Sequence, residues 1–199
     1  MVESGDRFGF VTTPIMDGEL RRHLETIRGD LSWPHETEVN LAGLKWIENL
    51  ANKLTRGYIL TVDYGYSRDD FFAPERRSGT LQCRAHHRLI RSPFTGIGDV
   101  DISAHVDWTS VVERGESCGL SLDGFTDQHH FVTGLISCLR EREFAGEIEP
   151  RARHALQTLL HPEFLGTAFQ FLVLTRNVAP SFRLSGFKFA RDPRVALGL

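Results

Sequence analysis

The sequence predicts an α/β fold with a mixed sheet and helices on both faces. The first observation is a helix followed by a strand: apolar residues recur at helical spacing from Leu41 to Leu54, Gly57 ends the helix, and the nearly all-apolar segment 58–62 follows. Such a segment is typical of a strand buried on both faces, as in a parallel sheet, and the pair matches the second half of a βαβ unit. The second observation is the segment 169–178, which is rich in β-branched and aromatic residues and follows two further helical patterns.

The remaining segments predict further strands, helices and one long connection. The long excursion 66–97 could hold a strand at 79–90, and a connection of this length is usually a lid or a binding element. All of them fit one α/β domain over 1–199, in which no glycine-rich turn leads from a strand into a helix. We predict a strand over 8–14, a polar helix over 17–28, a loop over 29–37, a helix over 38–54 capped by Thr37 or Asn40, and a helix over 108–119. A short strand over 121–125, a helix over 126–143 capped by Thr126 or Asp127, a helix over 150–160 and a final strand or turn within 182–199 follow.

The composition argues against several classes of protein. The 199 residues are 41% hydrophobic, and the net charge of −3 offers no basic field for nucleic acid. The most apolar stretch, 164–174, is far shorter than the roughly 20 residues of a membrane span. The start carries no basic and apolar signal segment, and three widely spaced cysteines form no CxxC pair. We therefore expect a cytoplasmic protein.

The strand at 58–62 ends in Asp63, Tyr64 and Gly65. Ligands of open α/β sheets bind outside the carboxyl ends of strands, so Asp63 and Tyr64 are candidates for a binding site. The alternative interpretation is a turn, in which Asp63 caps the turn and Gly65 adopts a positive φ.

The stretch GDVDISAHVDW at 98–108 places Asp101, Ser103, His105 and Asp107 on every second position. These residues could line a polar cleft in which His105 takes or relays a proton and a nearby carboxylate fixes its tautomer. Two plainer interpretations remain open. Asp107 could cap the following helix, and the alternation could mark the wet and dry faces of an extended segment.

Metal and nucleophile sites have little support in the sequence. Nine histidines include the pairs His86-His87 and His129-His130, but HExxH is absent and no spacing matches a familiar zinc site. No GxSxG elbow is present, and no cysteine has a suggestive histidine nearby. We predict no metal site.

Several blocks recur together in one known family. In order they are EVNLAGLKWIENLANKL, GYILTVDYGY, RRSGTLQCRAHHR, SPFTGIGDVDISAHVDW, GFTDQHHFVTGL and HPEFLGTAFQFLVLTRNV. From about Glu38 to about Gly186 the chain resembles the MidA-like S-adenosylmethionine-dependent methyltransferases, bacterial relatives of the mitochondrial complex I assembly arginine methyltransferase. One block departs from the family pattern, because Asp127 stands between Thr126 and Gln128 where the family usually has Thr-Gln.

The resemblance implies a class I, Rossmann-like methyltransferase fold, of which this chain matches the carboxyl-terminal half. The family's glycine-rich E-x-G-x-G segment, which cradles S-adenosyl-L-methionine, would lie before Met1. We therefore expect the chain alone to be inactive and to bind that cofactor weakly or not at all, with its cofactor-binding residues unknown. An unpaired sheet edge would also invite self-association.

The resemblance further implies that Asp101, Ser103, His105 and Asp107 belong to a substrate-side cleft. Asp63 and Tyr64 would lie beside it, and His86 and Gln128 would be secondary members. For protein-arginine methylation, Asp101 or Asp107 would hold the guanidinium, and His105 would be the proton acceptor or a hydrogen-bond partner. The plainer alternative is that these residues only tie the excursion to the following helix through buried hydrogen bonds. The substrate would be a protein, with a respiratory complex I subunit as the candidate. The alternatives are a catalytically inactive partner-binding remnant of the fold and a hydrolase or metal protein that uses His105 and the acids.

Overall fold

The computed structural model describes residues 2–4, 7–27, 35–86, 88–142, 149–179 and 184–199. The chain divides into two compact units, and the predicted α/β class with a mixed sheet is confirmed. The smaller unit comprises Met1–Leu41 and Phe72–His105, and the larger comprises Ala42–Phe71 and Val106–Leu199. The single domain expected over 1–199 stays a prediction, and each unit is described by itself.

The described chain contains seven α-helices and nine strands. The helices are α1 (Gly18–Thr26), α2 (Leu41–Lys53), α3 (Arg68–Phe71), α4 (Trp108–Ser117), α5 (Gln128–Arg142), α6 (Pro150–Leu160) and α7 (Pro193–Leu197). The strands are β1 (Val2–Ser4), β2 (Arg7–Gly9), β3 (Gly57–Tyr66), β4 (Gln82–Ala85), β5 (Arg88–Ile90), β6 (Asp101–Ser103), β7 (Val106–Asp107), β8 (Ser121–Asp127) and β9 (Phe169–Arg176).

The larger unit is built on a four-stranded sheet in the order β7-β3-β9-β8. Strand β9 pairs antiparallel with β3 on one side and with β8 on the other, so β3 and β8 run in the same direction. Strand β7 pairs parallel with only the last two residues of β3, Gly65 and Tyr66. The carboxyl ends of β3 and β8 therefore lie at one end of the sheet.

Helices cover both faces of this sheet. On one face, α2 and α4 contribute Ile47 and Val112 to a core that also contains Leu172 and Leu174 of β9. On the other face, Phe131 of α5 stacks on Phe171 with ring centroids 4.0 Å apart. Each fully buried aliphatic or aromatic side chain contributes about 1.5–3 kcal/mol, so these positions dominate the stability of the larger unit. The helical periodicity read from 38–54, 108–119, 126–143 and 150–160 is confirmed.

Strand β3 differs from the prediction, because it is not buried on both faces. Leu60, Val62 and Tyr64 share one face and are 48%, 45% and 42% exposed. Within the described residues, β7 pairs only at 65 and 66, so positions 57–64 have no strand on that side. The second face of β3 is therefore apolar but partly exposed, and the edge of β3 along 57–64 is unpaired among the described residues. An unpaired strand edge can pair with another strand.

The end of β9 ties two helices to the sheet. The Arg176 guanidinium donates through Nη1 to the carbonyls of Ala51 (2.6 Å) and Leu54 (3.2 Å) at the end of α2. It also donates to the carbonyls of Cys118 and Gly119, just beyond α4. The last carbonyls of a helix lack partners within the helix, so one side chain here satisfies the ends of two helices.

The smaller unit contains the hairpin β1–β2 and a three-stranded antiparallel sheet in the order β5-β4-β6. The predicted strand over 8–14 is shorter, because β2 ends at Gly9 and the residues up to Pro14 are irregular. Helix α1 begins after Asp17, as predicted. Backbone amides of Leu20 and Glu19 donate to the Asp17 carboxyl and hold its pKa below the usual value.

The tail contains a turn and a helix, so of the predicted final strand or turn over 182–199 the turn is present and no strand is found among the described residues. A 3₁₀ turn covers Ser185–Phe187, and α7 follows at 193–197. Asp192 caps α7 by accepting from two amides, and Pro193 occupies its first position, which are common signals for a helix start. Leu197 is buried in the core of the larger unit.

Most of the predicted loop over 29–37 lies outside the described residues, and its last part forms an isolated bridge between Glu36 and Ser78. None of the helices that the structure describes is long and apolar enough to cross a membrane.

Candidate functional site

The DYG sequence lies inside β3, because the strand continues to Tyr66. The interpretation of these residues as a turn is therefore wrong, and Gly65 does not adopt a positive φ. Glycine is required there for another reason. A methyl carbon at position 65 would overlap Trp108 Nε1 and the Val106 carbonyl oxygen. Only a residue without a side chain therefore allows the end of β3 to pack this closely against the start of α4.

Asp63 and Tyr64 point to opposite faces of the sheet, since side chains alternate along a strand. Asp63 is exposed, and its Oδ1 accepts from the Tyr64 amide at 2.7 Å. In register, Asp63 lies opposite Gln170 of β9, which in turn lies opposite Asp127 of β8. Tyr64 packs its ring on Phe169, with centroids 4.1 Å apart. The sheet thus places a polar row, Asp63–Gln170–Asp127, on one face only.

An ion pair that sequence analysis missed fixes the chain after β3. The Arg68 guanidinium donates to both carboxylate oxygens of Glu113 and, at 3.2 Å, to Ser110 Oγ. The hydrogen bond to Glu113 raises the pKa of Arg68 above its usual value, and burial opposes this shift. The Arg68 amide donates to Thr109 Oγ1 (2.9 Å), which donates to the Leu197 carbonyl (2.9 Å). No sequence signal predicts a pair that is 45 residues apart.

Asp107 is the N-cap of α4, and this plainer interpretation of the residue is confirmed. Its Oδ1 accepts from the Ser110 amide at 3.1 Å, and its Oδ2 accepts from Ser110 Oγ. The nearby Asp107 charge also contributes to the raised pKa of Arg68. Both carboxylate oxygens are therefore engaged in holding the first turn of α4.

In the smaller unit, Asp101 and Ser103 lie on one face of β6. Asp101 is opposite Arg84 in register, and Ser103 is opposite Gln82. Both predicted residues are exposed. The extended, alternating segment predicted from the sequence is therefore present, and it displays a carboxylate and a hydroxyl on the same surface.

His105 follows β6 and is held through its backbone. Its amide donates to Thr80 Oγ1 at 3.0 Å, and the Thr80 amide and hydroxyl donate to the Glu38 carboxylate at 2.9 and 3.0 Å. Gly79 has a φ of +80°, and a methyl carbon there would overlap Glu38 Oε1. Glu38, which sequence analysis also missed, thus fixes the loop that positions His105.

The two secondary candidates have visible structural roles. His86 is exposed and adopts a φ of 48° at the turn after β4, a left-handed conformation that histidine tolerates better than most residues. Its neighbour His87 lies outside the described residues. Gln128 is only 8% exposed, and its amide donates to the carbonyls of Leu159 (3.0 Å) and Leu165 (3.2 Å), which ties α5 to the end of α6.

The predicted site residues are divided between the two units. Within the smaller unit lie His86, Asp101, Ser103 and His105, and within the larger unit lie Asp63, Tyr64, Asp107 and Gln128. Their catalytic and binding roles stay predictions. Among the described residues, no group of three or more histidines, cysteines or acids could hold a metal ion.

A family model decides the identification. The model described as "Putative S-adenosyl-L-methionine-dependent methyltransferase" matches residues 1–126, more than half of the chain. The chain belongs to this methyltransferase family. The family's cofactor is S-adenosyl-L-methionine, as the sequence analysis expected, whereas the finer MidA-like assignment stays a proposal.

Solved structures agree with the methyltransferase fold. A Burkholderia thailandensis protein described as a "likely methyl transferase" and crystallised with S-adenosyl-homocysteine is 26% identical, with a TM-score of 0.79, and the match covers 95% of this chain and 49% of that one. A native structure of an uncharacterized protein from the same organism gives 26% identity, a TM-score of 0.80, and coverage of 95% and 50%. This methyltransferase chain thus spans about half the length of both neighbours. No curated protein matches it.

Gly65, at the end of β3, does not leave room for a cofactor. Phosphate- and cofactor-binding turns need glycines that leave room for the ligand, but the space beside Gly65 is filled by Trp108. Among the described elements, β7 leads directly into α4 and β8 directly into α5, without a glycine-rich turn. What this chain offers at its strand ends is a set of carboxylates and histidines.

Proposed function

We propose that this chain forms the substrate side of a methyltransferase that modifies protein arginine, with S-adenosyl-L-methionine held by a second half of the fold. One observation carries the proposal. The chain belongs to a methyltransferase family, and it displays the exposed carboxylates of Asp63 in β3 and Asp101 in β6. A carboxylate suits a guanidinium substrate, because the two groups form paired, charge-assisted hydrogen bonds.

The structure favours Asp101 over Asp107 as the carboxylate for the substrate. Both oxygens of Asp107 accept from Ser110, and its charge lies near Arg68. Asp101 is exposed on a sheet face. We therefore assign Asp101 to the substrate guanidinium, with His105, four residues later on the same extended segment, as the acceptor of the proton that the guanidinium loses. Asp107 then acts as a positioning residue that fixes α4.

The cofactor, when bound by the complete protein, supplies the methyl group. The open side of β3 suits the half that would hold it, because positions 57–64 have no strand partner there among the described residues. The same edge supports the self-association expected from the sequence. A respiratory complex I subunit as the methylated target and a cytoplasmic location remain parts of this proposal. The family match does not favour the alternative of an inactive partner-binding remnant.

The role of His105 is tested by the variant His105→Ala in an active protein that joins this chain to a cofactor-binding half. We expect the turnover number for an arginine peptide to fall by roughly 10²-fold or more, which is the usual loss of a general base. Cofactor affinity and melting temperature should stay near those of the unmodified protein, because alanine keeps the backbone hydrogen bond to Thr80.

Asp107→Ala is the matched control. It removes the cap of α4 and should cost about 1 kcal/mol of stability while turnover is largely kept. Unchanged turnover of His105→Ala, or a loss of turnover that is matched by a loss of folded protein, would reject the proposed role of His105.

A further inference from the structure

A cleft of about 260 Å³ opens in the larger unit, at the carboxyl end of β8. Its lining side chains come from β8, α5 and β9, and from α7 and the segment that precedes it. The lining residues include Phe125, Asp127, His130, Gln170, Phe189 and Arg191. None of these residues was assigned a role by the sequence analysis, except that Asp127 was a candidate cap of the helix that begins at 128.

His130 is held in one orientation by Asp127. The Asp127 Oδ1 accepts from the His130 backbone amide at 2.9 Å and is 2.7 Å from His130 Nδ1. With Nδ1 engaged by the carboxylate, Nε2 is the ring nitrogen left for a ligand. The His130 side chain is 49% exposed, so a ligand can reach it. The imidazole and the amino end of α5 both stabilise the negative charge of Asp127.

Gln170 adds an oriented amide beside this pair. Its register partner in β8 is Asp127. Its Nε2 donates to the Thr167 carbonyl at 3.1 Å. This bond orients the amide and leaves its Oε1 for other partners. The cleft therefore contains polar groups held in place from β8, α5 and β9.

The lining of the cleft also includes a cationic side chain. Arg191 is exposed and has no ion-pair or hydrogen-bond partner among the residues that the structure describes. The acid next to it, Asp192, accepts from the amides of Arg194 (2.9 Å) and Val195 (3.1 Å) at the start of α7. The Lys188 ammonium lies 5.6 Å from the centre of the Phe189 ring, which is itself 46% exposed. The guanidinium of Arg191 thus lines the cleft beside the apolar ring of Phe189.

We propose that this cleft binds the side-chain carboxylate of an acidic residue on a protein partner. The Arg191 guanidinium can donate two parallel hydrogen bonds to a carboxylate, and the protonated form of His130 can donate from Nε2 while its Nδ1 donates to Asp127. Phe125 and Phe189 suit the methylene groups of a glutamate. The volume lies below the roughly 300–1,000 Å³ of small-molecule pockets, which favours a single side chain over a free cofactor. This site goes beyond the proposed methyl transfer and does not depend on it.

The test is an NMR titration of the purified chain with N-acetyl-L-glutamic acid α-amide, whose only charge is the side-chain carboxylate. We expect saturable shifts of the His130 ring and Arg191 Nε–H signals. The uncharged N-acetyl-L-glutamine α-amide should bind at least about tenfold more weakly, since it cannot form the ionic pair. Arg191→Gln should weaken binding of the acidic probe by about tenfold or more.

Arg194→Gln is the matched control, because Arg194 lies three residues away and pairs with Glu116 instead of lining the cleft. It should leave the affinity for the acidic probe unchanged. The proposal is overturned if the acidic probe produces no saturable shift in the folded chain, if both probes bind equally, or if Arg191→Gln and Arg194→Gln behave alike.

Discussion

Replacing Arg176 by alanine is expected to lower the free energy of unfolding by about 3 kcal/mol. The side chain donates to the carbonyls of Ala51, Leu54, Cys118 and Gly119, and alanine leaves all four without this donor. Partial exposure lets water replace some of these bonds, so the loss stays below the sum of four charge-assisted hydrogen bonds. Thermal melting should show a decrease of roughly 6–12 °C for a chain of this size.

Arg114→Ala is the control for this measurement. Arg114 is a surface arginine whose distance to Glu48 Oε2 is 3.8 Å. Exposed pairs of this kind contribute little, so this variant should change stability by less than about 0.5 kcal/mol. Equal melting temperatures for the two variants would show that Arg176 does not hold α2 and α4 to the sheet.

Gly65→Ala is expected to cost about 3 kcal/mol as well, by overpacking. The added methyl group would overlap Trp108 Nε1 and the Val106 carbonyl, and it would lie 2.9 Å from Trp108 Cδ1. Trp108 is 2% exposed and belongs to the core, and Val106 is the strand partner of Gly65, so neither can move without disturbing its neighbours. Urea unfolding should show a lower midpoint with a similar slope.

Gly18→Ala is the matched control for this substitution. No atom lies within 4 Å of the position where its methyl carbon would be built, and Gly18 is the first residue of α1. This substitution should leave stability unchanged or raise it by up to about 1 kcal/mol. If Gly65→Ala is equally harmless, close packing is not the reason for glycine at the end of β3.

Local signals in the sequence predicted the elements that depend on local physics. Asp107 precedes a helical pattern and does cap α4. The Asp127–His130 contact, three residues apart, is also local and was accessible from the sequence as a cap. The long helices were predicted correctly because each buries a regular apolar stripe, and helical periodicity records that burial.

The predictions failed where long-range partners decide the outcome. The composition of β3 indicated burial on both faces, but Leu60, Val62 and Tyr64 are exposed because no described strand or helix fully covers them. The contacts of Glu38, Arg68 and Arg176 join residues 42, 45 and 125 positions apart. Sequence spacing carries no information on such pairs, so these three residues were missed.

The candidate site was predicted only in part for the same reason. The alternation of Asp101, Ser103 and His105 correctly indicated an extended segment with one polar face. The sequence could not show that Asp107 is fully engaged by Ser110, nor that Arg191 and His130 line the same cleft. Those facts depend on packing between elements that are far apart in the chain.

The most direct test of the central claim is a calorimetric titration of the purified, folded chain with S-adenosyl-L-methionine. The claim is that this chain provides the substrate side of a methyltransferase and does not itself contain the cofactor cradle. Circular dichroism and a cooperative melt establish that the titrated chain is folded. We predict no measurable heat of binding at millimolar cofactor, and micromolar binding by the chain alone would contradict the claim.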